Sequence, residues 1–377
     1  MLAYVRPFER IFSRRTVLLG TAAAVACGPR KGSGFPGYAF VANAGGRSVA
    51  AVDLTKFALV TQIAVESAPG SVIPHPARPS AYVLLPETGS VCEIDAAALA
   101  VARRSRLGSP AVSMRVSADG ESLWVLQPRA LVRLDRRLRA VQSIRLPGSA
   151  AAFDLSRDGR AAVTLPHERL LALARLDSGK IEQLAATVPE PSLVRFQSDG
   201  RQALVGSRAD RSVTIFDVRT GRTVVRLPLP VEPVNFCFNS DGGQLFVTGP
   251  GMDAVVIVFP YQTEVGETIL AGRTPDGMAV SATLPYLFVA NPQSGSVTVL
   301  DIDTRKLVAA VDVGQEPRRI LITPDDQYAL VLNRRSGDLA VVRIASFTAR
   351  RHRTDPPPLF TMIPVGERPV SAAVVAL

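Results

Sequence analysis

Four short strands in every stretch of about 40 residues, eight times over, predict an all-β chain folded as a β-propeller of four-stranded blades. Three observations carry this. The most regular strand of the repeat begins near Tyr38, Ala81, Ser122, Ala161, Gln202, Gln244, Tyr286 and Tyr328, at spacings of 43, 41, 39, 41, 42, 42 and 42 residues. The 28 Gly and 29 Pro argue against long helices and supply many turns. Runs such as Val255-Val256-Ile257-Val258-Phe259 are apolar on both faces, as a strand must be when sheets stack face to face around an axis.

Composition bounds the rest. With 47% hydrophobic and 20% charged residues the chain has material for a sizeable core, and with 6% aromatic residues that core rests on Val, Leu, Ile and Ala. The formal charge of +10 is scattered, with short clusters at Arg103-Arg104, Arg136-Arg137 and Arg350-Arg351. No basic stripe with interleaved aromatics is visible, so a nucleic-acid partner is not expected. Cys92 and Cys237 lie in apolar runs of different repeats and read as small buried hydrophobes, not a disulfide. The three histidines fit no zinc spacing, so neither metal nor cofactor is expected.

The elements follow in order. Residues 1–27 have the form of an export leader: a basic segment ending at Arg14-Arg15, then an apolar run over residues 17–26 that is too short to span a bilayer. Ser13-Arg14-Arg15-Thr16-Val17-Leu18 resembles a twin-arginine signal, and Ala24-Val25-Ala26-Cys27 resembles a lipobox. Together they imply an extracytoplasmic protein of the periplasm or cell envelope, anchored to the membrane through lipidated Cys27; plain cleavage after Ala26 is the alternative. Residues 28–37 read as a flexible tether and 38–377 as one propeller domain, expected to act as a monomer.

Within each repeat the first strand leads to an alternating second strand, such as Ser212–Asp217 or Ser296–Asp301, then across a charged turn to a third such as residues 223–227 or 307–313. The fourth strand runs into Ser117-Ala118-Asp119-Gly120, Ser156-Arg157-Asp158-Gly159, Ser198-Asp199-Gly200, Ser240-Asp241-Gly242 or Pro324-Asp325-Asp326. Asp-Gly pairs suit tight hairpins because Gly tolerates positive φ. Eight blades are expected, with seven and a divergent segment as the alternative, since an insertion over residues 346–358 interrupts the last repeat.

Tyr38-Ala39-Phe40-Val41-Ala42-Asn43 and Tyr286-Leu287-Phe288-Val289-Ala290-Asn291 match the namesake strand of the YVTN propellers, and Ser296–Asp301, Val311-Asp312-Val313-Gly314, Pro317 and Thr323-Pro324-Asp325 fill out the unit. The chain from about residue 38 resembles that family, most clearly in the first, fifth and last three repeats. The resemblance implies that the strand ending near Ser-x-Asp-Gly is innermost. The chain starts on the next strand and ends on an inner-type one, residues 369–375, so this last strand is expected to complete the first blade and close the ring.

Ligands of such propellers are expected at one end of the central channel, where the loops entering the inner strands meet the turns between the repeat's first two strands. The candidate ligand-binding residues there are Glu232, Asp276, Glu316 and Arg318 from the first set, and Asn43, His167, Asn291 and Asn333 from the second. No G-x-S-x-G elbow, Walker loop, Rossmann fingerprint or CxxCH attachment occurs, so no catalytic residue is assigned. The expected function is a non-enzymatic scaffold that binds a protein, glycan or small ligand at the channel mouth. Two alternatives remain: a lactonase-like hydrolase using the acidic mouth, or an accessory or cofactor-binding protein of periplasmic redox chemistry, related propellers being cytochrome d1-like.

Overall fold

The computed structural model describes residues 34–348 and 357–377. The leader, with Arg14, Arg15 and Cys27, lies outside the described residues, as does most of the insertion, with Arg350, Arg351 and Pro356. The regular structure of the described chain is almost wholly strand, arranged as eight antiparallel four-stranded sheets, with a single 3₁₀ turn at Ile344–Phe347.

Each sheet is one blade, running from an inner strand by the axis to an outer strand at the rim. The inner strands of the second to eighth blades are Ser71–Pro74, Ser113–Val116, Ala152–Leu155, Pro191–Phe196, Asn235–Phe238, Met278–Val280 and Pro317–Ile322. That of the first blade is the last strand of the chain, Pro369–Ala376, which pairs with Gly37–Asn43 in antiparallel register, Phe40 opposite Ala373. Each inner strand packs against the next, and the eighth against the first, so the ring closes as the sequence predicts, with eight blades.

The core is not one mass but eight layers, each made by two neighbouring blades. Alternation along a strand feeds two layers at once: Phe40 faces the second blade, while Ala39 and Val41 face the eighth. The largest buried side chains, Trp124, Phe40, Phe153, Phe216, Phe246 and Phe288, lie in these layers. Each such ring adds about 1.5–3 kcal/mol of hydrophobic stabilisation.

Two local features differ from expectation. Gly34 to Gly37, read as the end of a tether, belong to the body. Phe35 is buried against Leu54 and Tyr328, and a Cβ on Gly34 would stand 1.9 Å from the Leu54 carbonyl oxygen. The inner-to-second-strand turn of the eighth blade places Asp326 at φ 57°, where four other blades have Gly at φ 70–82°. Asp tolerates this region better than most residues. Its carboxylate accepts bonds from Ser281 Oγ (2.5 Å), Thr283 Oγ1 (2.5 Å) and the N–H groups of Ala282 and Thr283, and so ties down the matching turn of the seventh blade, which lacks its own Asp-Gly.

Candidate functional site

The loops entering the inner strands and the turns between the two middle strands of each blade share one end of the ring, where a cleft of about 1210 Å³ opens over the fifth to eighth blades. It is lined by Arg208 of the fifth blade and by residues 249–253 of the sixth. The seventh contributes Thr274, Pro275, Asp276 and residues 292–295, and the eighth Gln315, Glu316, Arg318 and Arg335. A smaller hollow of about 670 Å³ continues past Glu316 towards Glu367 and Arg368.

Arg318 organises the cleft floor. Its Nη1 donates to Asp276 Oδ2 at 2.8 Å and its Nε to Glu316 Oε1 at 2.9 Å, while Arg334 approaches Glu316 at 3.4 Å. Burial would lower the Arg318 pKa, but these two carboxylates outweigh it and hold the guanidinium above its usual value. Asp276 is fixed further by Asn235 Nδ2 at 2.7 Å, and its carbonyl accepts Thr248 Oγ1 at 2.6 Å. Glu316 is at φ 56° and Arg368, the matching residue of the next loop, at φ 53°, so these acidic and basic side chains are set by a tight backbone bend.

The predicted residues do not all meet at the cleft. Asp276, Glu316 and Arg318 come together in the cleft. Glu232 stands beside it, paired with Arg208 (3.7 Å) and Arg211 (3.4 Å). His167 is exposed on a turn of the fourth blade, away from the cleft lining. Asn43, Asn291 and Asn333 are fully buried and serve as clamps between blades. Asn43 Nδ2 donates to the Val365 carbonyl at 2.6 Å, Asn333 Nδ2 to the Val313 carbonyl at 3.0 Å, and Asn291 Oδ1 accepts the Gly272 N–H at 3.0 Å. In these three blades the Asn amide meets a backbone group of the crossover loop, a task that Ser207 and Gln127 perform at the same position in the fifth and third blades. A mouth position in the sequence therefore did not distinguish a ligand contact from a fastening.

Sequence reasoning also missed charge inside the channel. Arg115, Asp154 and Arg195 occupy one register position of three successive inner strands, opposite Trp124, Ala162 and Leu204. The matching positions in the second, seventh, eighth and first blades are Ile73, Ala279, Leu321 and Ala373. Comparing the fourth strands residue by residue would have exposed these charges.

The chain is a β-propeller. Its fold matches solved structures entitled dihydro-heme d1 dehydrogenase NirN in complex with DHE (TM-score 0.75, 19% identity, 89% of this chain and 74% of that one) and apo AztD from Citrobacter koseri (TM-score 0.69, 13% identity, 90% and 98%). Hydrazine synthase of Kuenenia stuttgartiensis matches at TM-score 0.60 and 19% identity, over 74% of this chain and 96% of that one. In sequence, the seven-bladed β-propeller protein Rv1057 of Mycobacterium tuberculosis is 26% identical over 150 residues, a match spanning 38% of each chain. No family model matches the chain. These likenesses are of fold, and the blade number here is eight.

The haem-binding neighbour raises the question of an iron ligand. His75 is buried, with Nδ1 accepting the Ala77 and Arg78 N–H groups (3.0 and 2.9 Å) and Nε2 bonded to the Gly120 carbonyl (3.1 Å). Burial, then Arg78, lowers its pKa and favours the neutral ring. Among the described residues no histidine lines the cleft, so those residues do not fit a haem held by an axial histidine there. Among the described residues no cluster of three His, Cys, Asp or Glu side chains is placed to hold a metal ion.

Proposed function

We propose that this protein is an exported, lipid-anchored propeller of divergent YVTN type that acts as a binding scaffold and takes its ligand in the mouth cleft. The observation that carries this reading is the state of two of the three carboxylates lining the cleft, the third, Asp253, accepting the Thr274 N–H at 2.8 Å. Asp276 and Glu316 are both tied to Arg318, and a carboxylate committed to a guanidinium is a poor general base or nucleophile. What the cleft offers is a broad polar floor of fixed arginine–carboxylate pairs, exposed backbone of residues 292–295, and the half-exposed Met252 as an apolar contact. Such a surface suits a glycan or an extended peptide, whose hydroxyl or amide groups find both donors and acceptors.

Export rests on the twin-arginine pattern at Arg14 and Arg15 and anchoring on Cys27. The test of location is fractionation of the Arg14→Lys/Arg15→Lys and Cys27→Ala chains. The first is expected to remain inside the cell and the second to leave the membrane fraction. The test of the site is binding of a glycan and peptide panel to the wild type and to Gln293→Trp, which plugs the cleft from an exposed position. Loss of a ligand in the plugged variant, with unchanged thermal unfolding, supports the scaffold. Hydrolysis of an ester or lactone panel by the wild type, abolished in Asp276→Asn, would overturn it in favour of a hydrolase.

A further inference from the structure

The inner strands carry a second candidate site, separate from the cleft. Charged side chains on these strands, Arg318 apart, are Arg115 of the third blade, Asp154 of the fourth, Arg195 of the fifth and Arg319 of the eighth. Asp154 Oδ1 stands 3.6 Å from Arg115 Nε and 3.8 Å from Arg195 Nη1, so one carboxylate oxygen is divided between two guanidinium groups. The other oxygen accepts the Phe196 N–H at 2.9 Å and is taken up by the backbone. Arg319 forms no ion pair among the described residues, yet lies close enough to repel Arg115. Burial, followed by repulsion from Arg195, lowers the Arg115 pKa to about 10, the response of a cation in a partly dry site with too little opposing charge.

Three arginines against one aspartate leave two positive charges unbalanced, with Arg115 and Arg195 half-buried and Arg319 exposed. Arginine N–H groups remain for a ligand, because Arg115 and Arg195 each spend only one Nη1 contact on a neighbouring carbonyl, at 3.1 and 3.3 Å. Arg115 also stacks on Phe153, with 5.9 Å from guanidinium carbon to ring centre, which restrains its direction. We propose that Arg115, Arg195 and Arg319 form a binding site in the central channel for one compact, doubly charged oxyanion of the phosphate or sulfate type. Two such charges match the excess, and guanidinium forks present paired donors to tetrahedral oxyanions. Asp154 positions Arg115 and Arg195 and competes with the anion for them.

The test is isothermal titration of the full chain with inorganic phosphate, and separately sulfate, in 0.1 M sodium chloride, with unfolding temperatures recorded without anion for every variant. One anion per chain is expected, bound at least tenfold more weakly by Arg195→Met and Arg319→Met and severalfold more tightly by Asp154→Asn. The tightening is the decisive arm, since a substitution that merely damaged the channel would weaken binding. Absence of saturable heat with both anions, or affinities unchanged in Arg319→Met and Asp154→Asn, would overturn the site. Neither outcome bears on the cleft, which shares none of these residues.

Discussion

Arg318 Nη1 of the eighth blade lies 2.8 Å from Asp276 Oδ2 of the seventh, and the same guanidinium holds Glu316 of its own loop. One side chain thus joins two blades and pairs with two carboxylates of the cleft. Removing it leaves the cleft lining with Asp253, Asp276 and Glu316 against Arg208 and Arg335. Arg318→Met is expected to cost about 1 kcal/mol in urea unfolding, the upper range for a half-exposed pair. A change within experimental error would show that the bridge adds no net stability.

The buried asparagines make a sharper prediction. Asn333 reaches the Val313 carbonyl of the preceding blade and Asp338 of its own at 2.6 Å. Asn333→Ala strands both acceptors out of water, at a cost of about 1–3 kcal/mol. Asn43→Ala is expected to cost less, because Gln62 Nε2 still donates to the Val365 carbonyl at 2.5 Å. Both are measured by chemical unfolding, and cleft ligands are expected to bind each variant unchanged once it is folded.

Asp326 links stability to acid. Burial would raise its pKa, but the bonds from Ser281, Thr283 and Ala282 outweigh it and hold the carboxyl below its usual 3.8. A group depressed in the folded state contributes stability that is complete above its unfolded value and disappears as pH falls through the folded one. The difference in unfolding free energy between wild type and Asp326→Asn should therefore be full at pH 6 and shrink below pH 3.8. A difference that does not change from pH 6 to pH 2 would contradict the linkage.

The two described cysteines should be inert. Burial pushes both the Cys92 and Cys237 thiols up to about 11. At pH 8 only about one thiol in a thousand is then ionised, so alkylation of the native protein should be far slower than that of the urea-unfolded chain. Peptide-resolved labelling with iodoacetamide measures each site. Rapid native labelling of Cys92, which is fully enclosed, would indicate that its blade interface opens.

The architecture was legible in the sequence because a blade repeats demands that few residues meet. Gly120, Gly159, Gly200 and Gly242 mark a positive φ that most side chains avoid, and the strand between such turns must be apolar on both faces. The eighth blade shows the limit. Asp326 fills the glycine position and assists a turn 43 to 45 residues earlier, a partnership no local pattern reveals. The site was legible only in part for the same reason. Asp276, Glu316 and Arg318 announce themselves as charges beside proline, but Asn291 looks the same whether it meets a ligand or the next backbone. Only the stacking of blades decides. Arg115, Asp154 and Arg195 are far apart along the chain and become neighbours through the ring alone.

The first blade carries its own instruction about order of assembly. Its inner strand, Pro369–Ala376, is made more than 300 residues after its partner, so a chain emerging from the ribosome presents the open hydrogen-bonding edge of Gly37–Asn43 until residues 369–376 have followed. A chain cut before residue 369 should keep that edge open and pair with its own kind. Size-exclusion chromatography of a 1–368 truncation is expected to show oligomers where the whole chain runs as a single ring, whereas a monomeric truncation would mean that seven blades and a three-stranded remnant can seal themselves.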